Sequence, residues 1–194
     1  MDLLEYEELS GEAIRQRDFS GQSLRDRQFS ACEFEGCNFT ETDLSNSSFE
    51  DCVFVDCNFS NPITKRMRLI DLKFKGCKLA GLNFYTCEQL TLSIDFLDCR
   101  LLSCNFTDIK MKGSKFTGSQ ISECYFQNTF LVGADFTNAS FNGTLFHACD
   151  LRNASFYHAT GYALDPRNNN VKKAIFSVPD LMALIECFDI VVKA

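Results

Sequence analysis

The sequence predicts an all-β solenoid, and three observations lead there. A large apolar residue recurs every five positions, small or weakly polar residues stand two positions before it, and the other three positions are mostly polar. Helices repeat near 3.6 and strands at 2, so a beat of five fits neither. A unit with one large and one small inward residue cannot bury its own centre. Successive units must therefore coil around a shared interior.

The first run of centres is Leu9, Ile14, Phe19, Leu24, Phe29, Phe34, Phe39, Leu44, Phe49, Phe54, Phe59, Thr64, Leu69, Phe74, Leu79 and Phe84. The second runs from Phe96 in steps of five to Phe156, through Leu101, Phe106, Met111, Phe116, Ile121, Phe126, Leu131, Phe136, Phe141, Phe146 and Leu151. Of the 20 Phe in the chain, 17 lie on these positions, so the periodicity is not accidental. Sorting the second run in steps of 20 puts Phe96, Phe116, Phe136 and Phe156 in one column and Phe106, Phe126 and Phe146 in another. Steps of 15 scatter them. Four units per turn is favoured, because columns of one residue type pack regularly.

In the opening coil Arg17, Gln22 and Arg27 take small-residue positions, as a half-solvated end permits. The stretch NPITKRMR (61–68) keeps the beat, but Thr64 is its centre and Pro62 precedes it by two. Either one side bulges outward there or the coil is merely imperfect. At 85–95 the beat slips, since Phe84 and Phe96 are 12 residues apart rather than 10, which predicts a short bulge or projecting loop. Beyond Phe156 the beat is lost. SVPDLMALIECF reads as a helix with Ser177 as N-cap and Pro179 and Asp180 in the first turn. Leu181, Leu184, Ile185 and Phe188 share its apolar face, and a strand-like DIVV follows. The expected organisation is a repeat domain over 1–160, with its register break at 85–95, and a capping and dimerisation segment over 161–194.

The 26 acidic and 19 basic residues leave a net charge of −7, which disfavours direct binding to nucleic acid. Residues 1–60 carry 14 acidic and 4 basic residues, residues 61–110 carry 5 and 8, and the remainder balances. No basic leader followed by an apolar run opens the sequence, and no stretch approaches the ~20 apolar residues of a membrane helix. A cytoplasmic location is the expectation.

Ten of the eleven cysteines stand two residues before a beat position, Cys187 being the exception, so they read as small hydrophobes of the inner wall. Their spacing puts neighbours on adjacent sides without a companion His, so no metal centre is expected. The NFT, NFS, NAS and NGT triplets follow from the repeat and need no glycosylation. His147 and His158 fall on outward positions without a nucleophile or acid partner, and no Gly-rich phosphate loop occurs. No catalytic residue and no cofactor is expected.

The units SACEF, GCNFT, ETDLS, GADFT, NASFN and ACDLR resemble the pentapeptide-repeat family. That resemblance implies a right-handed, four-sided β-helix of about seven coils, near 35 Å long at the usual strand spacing. The opening RQRDFSGQSLRDRQFSACEF and the ending ALDPR, apolar helix, FDIVV resemble the Qnr quinolone-resistance and microcin-immunity branch, whose members protect DNA gyrase. The resemblance implies a tail-to-tail homodimer through Leu181, Leu184, Ile185, Phe188, Ile190 and Val191. It also implies an acidic, DNA-like surface for gyrase or topoisomerase IV, supplied here by Asp18, Asp26, Glu33, Glu35, Glu41, Asp43, Glu50, Asp51 and Asp56. The breaks around Lys65, Arg66 and Arg68 and at Glu88–Ser93 would stand where the family's projecting loops do. The alternative is a general interaction scaffold with another partner.

Overall fold

In the computed structural model, which describes residues 7–88 and 94–191, the chain winds as a parallel β-solenoid with four flat sides. Side 1 stacks Glu8–Ser10, Gln28–Ser30, Ser48–Glu50 and Arg68–Ile70. Side 2 stacks Ala13–Arg15, Glu33–Glu35, Val53–Val55, Leu72–Lys75 and Ile94–Leu97. Side 3 runs from Asn58–Ser60 through Lys78–Ala80, Arg100–Leu102 and Gln120–Ser122 to Ser140–Asn142. Side 4 is held mostly by single bridges such as Ser23–Asp43 and Asn105–Tyr125, with one paired set, Tyr125–Gln127 on Leu145–His147.

Most five-residue units send the same three N–H groups to their neighbours; the one around Phe84, a 3-10 turn over Phe84–Thr86, does not. Around Leu44, the Asp43 N–H donates back to the Gln22 carbonyl (2.9 Å), while Leu44 and Asn46 donate forward to Ile63 and Lys65 (2.8 and 2.9 Å). The residue two before the centre gives its N–H to no ladder carbonyl: Thr42 donates within a local turn to Phe39 (3.3 Å), and Cys37 to the sulfur of Cys57 in the next coil (3.4 Å). Its N–H is dispensable to the ladder. Corners turn on a residue of positive φ two places after every described centre but Phe84, occupied mostly by Gly, Asn and Asp, the types that tolerate that conformation. At Gly161 the requirement is absolute, since a Cβ there would collide with the Phe141 carbonyl.

All described centres are buried. On side 2 the rings of Phe34, Phe54, Phe74, Phe96, Phe116, Phe136, Phe156 and Phe176 form one column, with successive centroids 4.8–5.5 Å apart. Rings of neighbouring sides meet edge to face, as Phe116 and Phe126 do at 5.8 Å and 82°. Among the described residues the lumen is thus a packed core with no channel. Nine side-2 levels from Ile14 to Phe176 span roughly 38 Å at the usual strand spacing.

Three expectations need correction. First, of the two readings of 61–68, an outward bulge and an imperfect coil, the bulge is excluded: the stretch keeps its place in the ladder. Ile63 donates to Thr42 (3.0 Å), Arg66 to Thr86 (2.8 Å) and Arg68 to Ser47 (2.9 Å), and Pro62 occupies the position whose N–H the ladder does not use. Thr64 is buried as a centre, its hydroxyl 3.1 Å from that of Thr86 and 3.3 Å from the Asn83 carbonyl.

Second, the coil does not stop near 160. Leu145 bridges Ala163, Asp150 bridges Asn170, and Ser155 and Phe156 pair with Ile175 and Phe176. The offset falls to 18 residues at Ala163 and returns to 20 at Asn170, so only a short stretch departs from the beat.

Third, the terminal helix is two short 3-10 turns, Asp180–Leu184 and Glu186–Phe188. Ser177 does not cap it; its hydroxyl accepts the His158 N–H (2.8 Å) instead. A helix this short gains little from its own hydrogen bonds, and packing Ala183 and Leu184 against the last coil sets its geometry. No strand forms at Ile190 or Val191, and the remainder of DIVV lies outside the described residues.

The register slip is where the sequence puts it. Arg68 bridges Glu88 at an offset of 20, whereas Leu72 pairs with Ile94 at 22, so two residues are inserted between Glu88 and Ile94. Residues 89–93, five of the eleven in the expected bulge or loop at 85–95, lie outside the described residues.

Candidate interaction surface

The nine candidate acids all face outward, but the four sides share them. Glu50 and Asp51 stand on side 1, Glu33, Glu35 and Asp56 on side 2, Asp18 and Glu41 on side 3, and Asp26 and Asp43 on side 4. They encircle the first three coils and do not line one groove.

Two acids are in exposed ion pairs, Glu35 with Arg15 (2.8 Å) and Asp43 with Arg25 (3.1 Å). Such pairs contribute little to stability but locally cancel the field. Asp18 accepts the Ser20 N–H and an Asn38 side-chain N–H (both 3.0 Å), and the bonds from Ser20 are the larger reason its pKa is lowered.

The cations form a second girdle. Lys65 and Arg66 lie on side 4, Arg68 on side 1, Lys73 and Lys75 on side 2 and Lys78 on side 3, so one turn of chain carries positive charge around the rod. A corner ladder joins the two girdles: Asn46 donates to Asp26 (2.7 Å) and accepts from Arg66 (2.9 Å). Arg68 pairs with Glu88 at 3.2 Å. Along the chain these cations, 65–78, form a run; that the run becomes a ring follows from the 20-residue turn.

At the other end, the six candidate dimer residues divide. Leu181, Phe188, Ile190 and Val191 are exposed, Val191 by 85%. Ile185 is half-buried, and Leu184 turns inward against the core with Ala183, Val171 and Phe176. Phe188 is covered on one face by the Arg167 guanidinium, 5.4 Å from its centroid.

The described cysteines are all free, and ten are buried. Side-3 thiols stack between coils, the Cys37 and Cys57 N–H groups donating to the sulfurs of Cys57 and Cys77 (3.4 and 3.3 Å). Burial pushes Cys52 and Cys87 up to about 12. Among the described residues no group of three His, Cys, Asp or Glu could hold a metal ion, and no helix is long and apolar enough to cross a membrane. His147 and His158 stand apart on exposed positions of sides 4 and 2.

A filled tube whose outer positions vary over an invariant interior defines a solenoid scaffold. The chain belongs to the pentapeptide-repeat family: residues 27–101 and 47–123 match the model of a pentapeptide repeat region, and 119–157 match that of pentapeptide repeats in eight copies. A search of curated protein sequences finds no match. Among solved structures, a trypsin-treated form of QnrB1, a plasmid-mediated fluoroquinolone resistance protein, is 20% identical with a TM-score of 0.42, over 96% of this chain and 99% of that one. HetL, involved in heterocyst differentiation regulation in the cyanobacterium Nostoc, is 14% identical with a TM-score of 0.39, over 87% and 84%.

Proposed function

We propose that this chain is a non-enzymatic, cytoplasmic binding protein that engages a type II topoisomerase, gyrase or topoisomerase IV, and protects it from quinolones or peptide toxins. One observation carries the reading. A rod encircled by carboxylates over its first three coils has exposed apolar residues at its far end. Acids on all four sides present negative charge whichever way the rod rolls, as a duplex does. The apolar end suits pairing of two copies tail to tail, which would set the acidic coils at both extremities. The likeness to the Qnr branch in the opening and closing segments supports the same partner.

The basic girdle confines the DNA-like field to the first three coils, because charges beyond about 8 Å are screened at physiological salt. It also favours a second reading, a scaffold for a different and acidic protein partner. A gyrase supercoiling assay with ciprofloxacin decides between them. Micromolar protein is expected to restore supercoiling in the presence of the drug. Neither protection nor inhibition, with a pull-down that recovers other proteins but no topoisomerase, sinks the first reading.

A further inference from the structure

Side 2 carries an ordered charge pattern. Its five strands from Ala13–Arg15 to Ile94–Leu97 stand in register, so outward side chains lie directly above one another from rung to rung. Along the rod the outward face presents Arg15, then Glu33 with Glu35, then Val53 with Val55, then Lys73 with Lys75, then Asp95. The signs run plus, double minus, neutral, double plus, minus. They are antisymmetric about the Val53 and Val55 rung. Among the described residues no other side sets a pair of acids and a pair of bases on either side of an apolar rung.

Most of these charges are unspent within the chain. Among the described residues Glu33, Lys73 and Lys75 are in no ion pair. Glu35 holds Arg15 (2.8 Å), both groups remaining about half exposed, and Asp95 accepts the Lys115 N–H (3.0 Å). Val53 and Val55 are half-buried apolar side chains at outward positions, where the repeat mostly places polar residues. A surface antisymmetric in charge is complementary to its own copy turned end over end.

We propose that side 2 is a lateral contact between two antiparallel copies of this chain, with a twofold axis along the Val53–Val55 strand. That axis sets each valine against the same residue of the second copy. It also sets Glu33 opposite Lys73 and Glu35 opposite Lys75, twice over. Parallel rods would instead put Glu on Glu and Lys on Lys. Five rungs cover about 19 Å of rod, with outward columns about 7 Å apart. The face is therefore smaller than the roughly 800 Å² per partner of a standard interface, and pairing through it is weak and salt-sensitive. It leaves the terminal 3-10 turns free, and it does not depend on which macromolecule the rod binds. The net charge of −7 opposes association, so attraction at low salt is a signature of this arrangement.

Sedimentation velocity on the full chain carrying Phe188→Asp and Val191→Asp, both exposed positions, tests the contact apart from the tail. At about 10 mM salt, where screening reaches about 30 Å, the sedimentation coefficient is expected to rise with concentration. At about 1 M, where it reaches about 3 Å, the monomer value should persist. Adding Lys73→Glu with Lys75→Glu, or Glu33→Lys with Glu35→Lys, should weaken association at least about tenfold, since like charges then face each other. An equimolar mixture of those two variants should associate again, each supplying what the other lost. All four substitutions in one chain exchange the charged rungs at unchanged net charge and should restore self-association, which also reports that the rod folds. No association at low salt overturns the proposal, as does association that the paired substitutions leave unchanged or the fourfold exchange fails to restore. If the paired substitutions abolish protection of gyrase while the parent does not self-associate, the face belongs to a different protein and the proposal falls.

Discussion

Asp165 shows how one side chain closes the final corner. Its carboxylate accepts the Arg167 N–H (2.8 Å), the Arg167 Nε and Nη2 (3.0 and 2.8 Å) and the Asn168 side chain (3.1 Å). The Arg167 guanidinium, followed by the Arg167 backbone N–H, holds its pKa at about 2, below the ordinary 3.8. A carboxyl depressed on folding contributes stability that is present above its unfolded pKa and lost as pH falls through the folded value. Acidification from pH 4 to pH 2 is therefore expected to lower the melting temperature of the native protein more than that of Asp165→Asn. Equal losses in a calorimetric pH series would show that the corner contributes nothing. The motif was readable as ALDPR, but its hydrogen bonds were not, because they depend on where the offset of 18 returns to 20. Asn169 was missed for a related reason. It stands 20 residues after Cys149, takes the inner position of that thiol, and bonds the Phe146 carbonyl (3.0 Å) and the Cys149 N–H (2.9 Å).

At the scale of the element, the aromatic column of side 2 ties the coils together. Phe116 lies 5.0 Å from Phe96 and 4.8 Å from Phe136 and is fully buried. Phe116→Ala is expected to cost about 3–5 kcal/mol in denaturant unfolding, the usual range for a buried ring. Phe116→Asp should abolish the cooperative melt, since it buries a charge between two rings. A melt unchanged from the parent would contradict the packing. The column was legible from Phe96 to Phe156 because the beat is a direct image of burial; its continuation to Phe74, Phe54 and Phe34 needs the 22-residue step that the register slip introduces. It was lost at Phe176 because counting by fives fails across the irregular corner at 160–163, whereas counting by twenties from Phe156 reaches it. At Pro62 the sequence left a bulge and an imperfect coil open: proline breaks a ladder only where its missing N–H is used, and this ladder skips that position. The terminal segment misled through its 3.6-residue pattern, since packing on the coil end outweighed the propensity of so short a helix.

For the whole molecule, the surface was the least legible part. Outward residues carry no periodic constraint, so the sequence showed how many charges each region has but not that acids and bases each form rings. The exposed tail leads to a prediction at this scale. Light scattering is expected to give a dimer, and combining Phe188→Asp with Val191→Asp to give a monomer, because both side chains are at least half exposed and the tube does not depend on them. A native chain that stays monomeric at high concentration would exclude tail-to-tail assembly. The unequal division of charge along the axis has an electrical consequence. With its negative centre displaced toward the first coils, a single rod is a strong permanent dipole and aligns in an applied field. Two rods joined by a twofold axis across their tails would cancel the axial component, so the permanent-dipole part of the electric birefringence would vanish as the chains pair.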